Sequence, residues 1–191
     1  MEFLSKYKLI KPLIKKYGSC KISPLKTSQY FVDLVESIIS QQLSGKAAKT
    51  IFGRVKNGVG EITPENILKV SDDDFRSFGL SRQKLSYIKD LSQKVNAKTI
   101  KIKQLNKLSD EEVIRELVLV KGIGVWTAQM FLMFTLGRAD IFPSGDLGIK
   151  NGMTKLLKKE LNAQEMDKFA KRWKPFRTVA SWYIWANLDN R

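Results

Sequence analysis

Histidine is absent from this 191-residue chain, and cysteine occurs once, at Cys20. Without histidine there is no imidazole general base, no serine–histidine nucleophile and no route to most transition-metal sites. One cysteine excludes a disulfide framework, a cysteine-ligated zinc and a four-cysteine iron–sulfur cluster. Chemistry is left to carboxylates, lysines, hydroxyls or the thiol. Long hydrophobic runs are missing too. The most apolar stretch, Ile123 to Leu136, is shorter than the roughly 20 residues a membrane span needs. Met1 to Lys8 is charged and has no apolar signal core. The expectation is a soluble intracellular protein, with no membrane partner, in a cytoplasm or a nucleus according to the organism. Acidic residues are scarce: 19 Asp plus Glu stand against 34 Lys plus Arg, a formal net charge of +15. That excess fits a polyanionic partner such as nucleic acid, or a solvated basic surface.

What is present is a chain able to build a core, with 43% hydrophobic and 10% aromatic residues. Its periodic segments read as helix. Phe31, Leu34, Val35, Ile38 and Ile39 recur at i, i+3, i+4, i+7, i+8, and Leu85, Ile88, Leu91 and Val95 repeat the pattern after Ser81, an N-cap residue type. Ser109 followed by Asp110, Glu111 and Glu112 opens another helix, and Ser71 before Asp72-Asp73-Asp74 a further one. Gly58-Val59-Gly60, Thr63-Pro64 and Phe142-Pro143-Ser144-Gly145 mark loops. Alternating strands are missing, so the expected fold class is all-α. The first 30 residues carry seven lysines and one glutamate, which either line a nucleic-acid groove or form a solvated helix face.

The segment Leu117 to Lys150, LVLVKGIGVWTAQMFLMFTLGRADIFPSGDLGIK, carries the chemistry. A helix is expected to end at Val120, with a Gly-Ile-Gly turn next and a second helix from about Val125. Gly122 and Gly124 permit positive φ and close backbone approach, while the second helix begins with unpaired amides. Those amides and the positive end of the helix dipole can seat a phosphate. Tight helix packing is the other reason for such glycines. Downstream, Asp146 precedes Leu147-Gly148-Ile149-Lys150. It either caps the following helix or stabilises positive charge developing on a sugar ring.

Together VKGIGVWTAQMFLMF and FPSGDLGIK resemble the helix–hairpin–helix (HhH-GPD) superfamily of DNA glycosylases. Within it the chain is most similar to the alkylpurine branch, the 3-methyladenine DNA glycosylase II (AlkA-like) enzymes. IISQQLSGKAAKTIFGRV, FGLSRQKLSYIKDLSQKV and WKPFRTVASWYIWANL extend the resemblance over about residues 28–190. The resemblance implies a two-lobed helical glycosylase unit over 1–191, without the N-terminal β domain of larger relatives. Residues 30–138 would form the central lobe ending in the hairpin, and 1–29 plus 139–191 the second lobe.

The resemblance also implies roles. Asp146 takes the catalytic aspartate position, with Ser144-Gly145 replacing part of the usual loop. Trp126 stands where strand-cleaving relatives carry a Schiff-base lysine, so a monofunctional hydrolase without AP-lyase activity is implied. Trp126 and Trp185 would form the base pocket, stacking on a cationic purine for about 0.5–2 kcal/mol; buried core positions are the alternative. Lys121, Gly122, Ile123, Gly124 and Thr127 would contact DNA. Gln42, with Gln41 beside it, would be the wedge that fills the gap left by a flipped base. No cofactor is required, although the carbonyls of Val118, Val120 and Ile123 occupy the positions that hold Na+ or K+ in the family. The implied partner is double-stranded DNA with a damaged base, bound by a monomer. An alkylated purine is already cationic, so its departure needs no strong general acid, which suits a chain without histidine. A glycosylase for an oxidised or deaminated base, or a non-catalytic hairpin protein that only binds DNA, are the competing readings.

Overall fold

Apolar residues at helical spacing become buried faces throughout the structure, a computed structural model that describes residues 2–189. In chain order the helices are α1 (Glu2–Ser5), α2 (Lys11–Tyr17), α3 (Tyr30–Ser40), α4 (Gly45–Val59), α5 (Pro64–Lys69) and α6 (Asp72–Ser77). They continue as α7 (Arg82–Asn96), α8 (Asp110–Leu117), α9 (Val125–Met130), α10 (Leu147–Leu157), α11 (Ala163–Ala170) and α12 (Arg177–Asp189). A π-helical turn, Phe131–Thr135, extends α9. No strand occurs among the described residues, so the all-α expectation holds. Nor is any described helix long and apolar enough to cross a membrane.

The chain divides into two compact units, residues 25–131 and residues 1–24 with 132–191. In the first, α3 packs on α4 and α7, α5 on α7, and α8 on α9. The expected face of α3 is buried in full, from Phe31 to Ile39. Eleven residues make a marginal helix in water. Burial of these side chains, roughly 1.5–3 kcal/mol each, is therefore what keeps α3 folded. In the second unit α12 packs on α10 and α2. Its core joins Leu4, Ile10, Phe142, Ile149, Trp173 and Tyr183.

Side-chain caps start the helices where polar residues precede apolar periodicity. Ser44, Thr63, Ser71 and Ser81 each accept an amide of the following first turn, and Ser109 forms a capping box with Glu112. Three local expectations are corrected. Gly58 and Val59 are not loop but the last residues of α4, which stops at Gly60 with φ +76; the Phe78 ring covers Gly58 and holds that turn in place. The helix expected to reach Val120 ends at Leu117, and residues 118–120 tighten into turns that redirect the chain into the hairpin. Gly122 has the expected positive φ of +79, but Gly124 does not; it sits at φ −94 as the residue before α9.

Candidate active site and nucleic-acid interface

In the unit of residues 1–24 and 132–191, a carboxylate is fixed at the start of α10. Asp146 is the N-cap residue, and its Oδ1 accepts the Ile149 amide at 2.7 Å. The same oxygen accepts the indole Nε1–H of Trp185 at 2.8 Å. Asp146 therefore does cap the helix, and the same oxygen also takes a bond from a distant helix, so the carboxylate is fixed from two elements at once. Oδ1 lies 2.9 Å from where a Gly148 Cβ would stand, and Trp185 Nε1 and Cδ1 lie at the same 2.9 Å. Only a residue without Cβ lets the carboxylate and the indole meet there.

The loop that delivers Asp146 is held by α12, the helix that also carries Trp185. Arg177 Nε donates to Asp140 Oδ1 at 2.7 Å and its Nη2 to Asp140 Oδ2 at 2.9 Å, a two-pronged pairing. The Ile141 amide donates to Thr178 Oγ1 at 2.9 Å, and the Asp146 amide closes a turn onto the Pro143 carbonyl at 2.9 Å. Trp185 is half-buried and leans on the core. Phe134, 40% exposed, approaches its ring with centroids 6.0 Å apart. These two rings and the carboxylate form a partly open aromatic corner, suited to a flat apolar or cationic group.

In the unit of residues 25–131, the hairpin runs from α8 to α9. Lys121, Gly122 and Gly124 are exposed, whereas Ile123 and Thr127 are buried beneath them. Gly124 has nothing within 4 Å of a would-be Cβ, so its backbone faces open space. Trp126 lies on the first turn of α9 and is 47% exposed, not a core residue. From below, α7 supports the turn. The Tyr87 ring lies directly on Gly122, where a Cβ would come within 2.0 Å of it, and the Lys121 amide donates to Asp90 Oδ2 at 2.9 Å. Asp90 is only 8% exposed. Burial pushes its carboxyl up, but the Lys94 hydrogen bond, the Lys121 amide and both lysine charges together hold it below the usual carboxylate range.

The residues expected to act as a wedge form a second exposed turn in this unit. The Leu43 amide bonds the Ser40 carbonyl at 3.1 Å, with Gln41 at φ −50, ψ 129 and Gln42 at φ +58. This is a type II turn with a side-chain-bearing residue where glycine is usual. Gln42 is exposed at its tip, and Gln41 Nε2 donates to the Gly122 carbonyl at 2.9 Å.

Hard backbone oxygens suit a monovalent cation. The Val120 carbonyl accepts the Ile123 amide at 3.1 Å and retains a second lone pair, so this oxygen keeps capacity for such an ion. Among the described residues no cluster of three His, Cys, Asp or Glu side chains could hold a metal.

Four residues of these sites are not apparent from the sequence. Gly148 leaves a signal, a glycine inside a helical start. Phe134 leaves none, because the π-helical turn shifts the face that periodicity would assign. Tyr87 and Asp90 look like ordinary positions of an amphipathic helix until their partners in the hairpin are known.

The chain belongs to the HhH-GPD superfamily of base excision DNA repair proteins, whose sequence model matches residues 35–177. It is 35% identical over 182 residues to DNA-3-methyladenine glycosylase 1 of Schizosaccharomyces pombe, covering 92% of this chain and 80% of that protein. A solved structure of the 3-methyladenine DNA glycosylase of S. pombe in complex with abasic DNA superposes with TM-score 0.83 and 31% identity, over 98% of this chain and 95% of that one. The crystal structure of a DNA-3-methyladenine glycosidase from Bacillus halodurans gives TM-score 0.86 and 34% identity, over 97% and 87% of the two chains.

Proposed function

We propose that this chain is a monofunctional DNA glycosylase that removes alkylated purines of the 3-methyladenine and 7-methylguanine type from double-stranded DNA, inside the cell and as a monomer. The observation that carries the reading is the Asp146 carboxylate, anchored through Oδ1 by the Ile149 amide and the Trp185 indole beside an open aromatic corner. Water attacks C1′ and gives up a proton to solvent, the bond from C1′ to the base nitrogen breaks, and the cationic base leaves neutral with the bonding electron pair. An abasic sugar remains. Asp146 faces the positive charge that develops on the sugar, the kind of fixed electrostatic partner that is usually worth several kcal/mol in a barrier. The base needs little protonation, since alkylation has already made it cationic. Trp126 and Trp185 each take the base-stacking role that the resemblance implies for them. No lysine stands at position 126 to form a Schiff base, so the strand stays intact.

Binding rests on the hairpin. Lys121, Gly122, Ile123, Gly124 and Thr127 form the phosphate-binding face, Lys121 through its charge and Gly122, Gly124 and Thr127 through their amides, while the Lys121 and Ile123 amides brace the turn on Asp90 and Val120; Gln42 with Gln41 fills the gap behind the extruded nucleotide. A Na+ or K+ ion held by the carbonyls of Val118, Val120 and Ile123 would add charge compensation at the same phosphate. The resemblance to relatives named for 3-methyladenine, one of them solved on abasic DNA, supports this reading.

Chromatography of bases released from methylated duplex DNA tests it. Release of 3-methyladenine is expected, with no covalent adduct on borohydride treatment. Asp146→Asn is expected to abolish release and to leave duplex affinity within about threefold, because affinity resides in phosphate contacts. Duplex binding without release of any alkylated base would overturn the assignment.

A further inference from the structure

Helix α7 grips both exposed turns of the unit of residues 25–131. Asp90 and Tyr87 hold the hairpin, as described. One turn earlier on the same helix, Lys84 Nζ donates to the Ile39 carbonyl and to the Gln41 carbonyl, each at 2.6 Å. These oxygens end α3 and begin the type II turn, so the ammonium sits at the negative end of the helix dipole. Burial holds the Lys84 amine below the usual lysine range. The acceptors are main-chain carbonyls 45 and 43 residues away, so the lysine acts on backbone shape. What it shapes is costly: Gln42 is a left-handed non-glycine residue, a strained backbone conformation. Next to it, the Gln41 amide spans the gap to the Gly122 carbonyl at 2.9 Å, at the residue where the hairpin itself turns left-handed.

We propose that Lys84 is a positioning residue for base extrusion: its bridge across the Ile39 and Gln41 carbonyls fixes the turn that presents Gln42, and Gln41 on the Gly122 carbonyl ties that turn to the DNA-gripping hairpin. The inference rests on the glycosylase reading and extends it. Phosphate capture at the hairpin and insertion of Gln42 become one event, because the two turns share a rigid support. A wedge that must push into a stacked duplex needs such backing, since unstacking and unpairing a base is energetically uphill. A lysine that merely finishes α3 would stabilise the fold and do nothing else.

The two roles separate experimentally on the full chain, with Lys84→Met and Lys84→Arg. Three quantities are measured: affinity for undamaged duplex, single-turnover base release, and fluorescence of 2-aminopurine paired beside the lesion. The fluorescence is read in an Asp146→Asn background, so that extrusion is seen without chemistry. Release is compared between a fully paired lesion and the same lesion in a bulge, where extrusion is nearly free. Lys84→Met is expected to keep duplex affinity within about twofold. On the paired lesion it should lose about tenfold or more in release, together with the fluorescence rise, while remaining within about threefold of wild type on the bulged one. Lys84→Arg should restore the paired substrate.

Equal losses on paired and bulged lesions, or release that falls only in step with melting temperature and affinity, would overturn the proposal. So would wild-type release by Lys84→Met on paired DNA. If Lys84→Met does not fold, Lys84→Gln, which removes the ammonium that bridges the two carbonyls, must show the same paired-versus-bulged pattern or the proposal fails. A wild-type protein that extrudes 2-aminopurine through Lys84 yet releases no alkylated base would refute the glycosylase reading and leave the clamp standing.

Discussion

Asp146 is where residue chemistry and chain geometry meet. Its carboxylate costs nothing extra to hold, because the Ile149 amide that fixes it is one that α10 leaves unpaired in any case. Trp185 supplies the second bond, and Gly148 leaves room for it. Gly148→Ala is accordingly expected to separate activity from stability. Alanine gains about 1 kcal/mol of helix propensity over glycine, which offsets much of the strain of its methyl group. That methyl still pushes into the Asp146–Trp185 bond, so single-turnover release should fall by about tenfold to a hundredfold. Wild-type release by this variant would show that the bond does not matter. Gln42 is the opposite case. Gln42→Gly removes left-handed strain and should stabilise the fold by about 1 kcal/mol in thermal melting, yet slow release from a paired lesion by about tenfold. A lower melting temperature would mean that the turn is not strained.

At the scale of elements, α7 is the organising piece of its unit. Its apolar residues Leu85, Ile88 and Leu91 are legible from spacing, and the Ser81 cap is legible from residue type. Its polar residues are not, because Lys84 and Asp90 meet partners that are remote in sequence. Asp90 gives this arrangement a pH signature. Its folded-state carboxyl titrates below the ordinary value of 3.8, so the stabilisation it contributes is fully present above that value. The stabilisation is lost as pH falls through the lower, folded-state value. The difference in melting temperature between wild type and Asp90→Asn should therefore be constant from neutral pH down to about pH 4.5 and shrink at more acid pH. A difference that grew on acidification would contradict this account. The hairpin divides in the same way. The Gly-Ile-Gly turn is visible in the sequence, but only the structure shows that position 122 is both left-handed and covered by the Tyr87 ring, whereas Gly124 is extended and open.

For the whole molecule the dominant quantity is the net charge of +15. Duplex affinity should fall steeply with salt, with log K dropping by about 0.9 per log unit of salt for each phosphate contact. Asp146→Asn should leave that slope unchanged, whereas Lys121→Met should reduce it by about one. A salt-independent affinity would move the binding away from phosphates. Charge, the lack of histidine and the single cysteine narrow the chemistry whatever shape the chain adopts, since composition does not depend on folding. Helical spacing likewise marks the buried faces of α3 and α7, and the ordered motifs around Gly122 and Asp146 point to a DNA glycosylase. Spacing reports which face of a helix is covered and is silent on which residue covers it. The bond from Trp185 to Asp146 spans 39 residues, the bond from Lys121 to Asp90 spans 31 and the bond from Lys84 to Gln41 spans 43. Each depends on the angle and register at which helices pack, and those follow from the shape of a complete core, which no local stretch of chain contains.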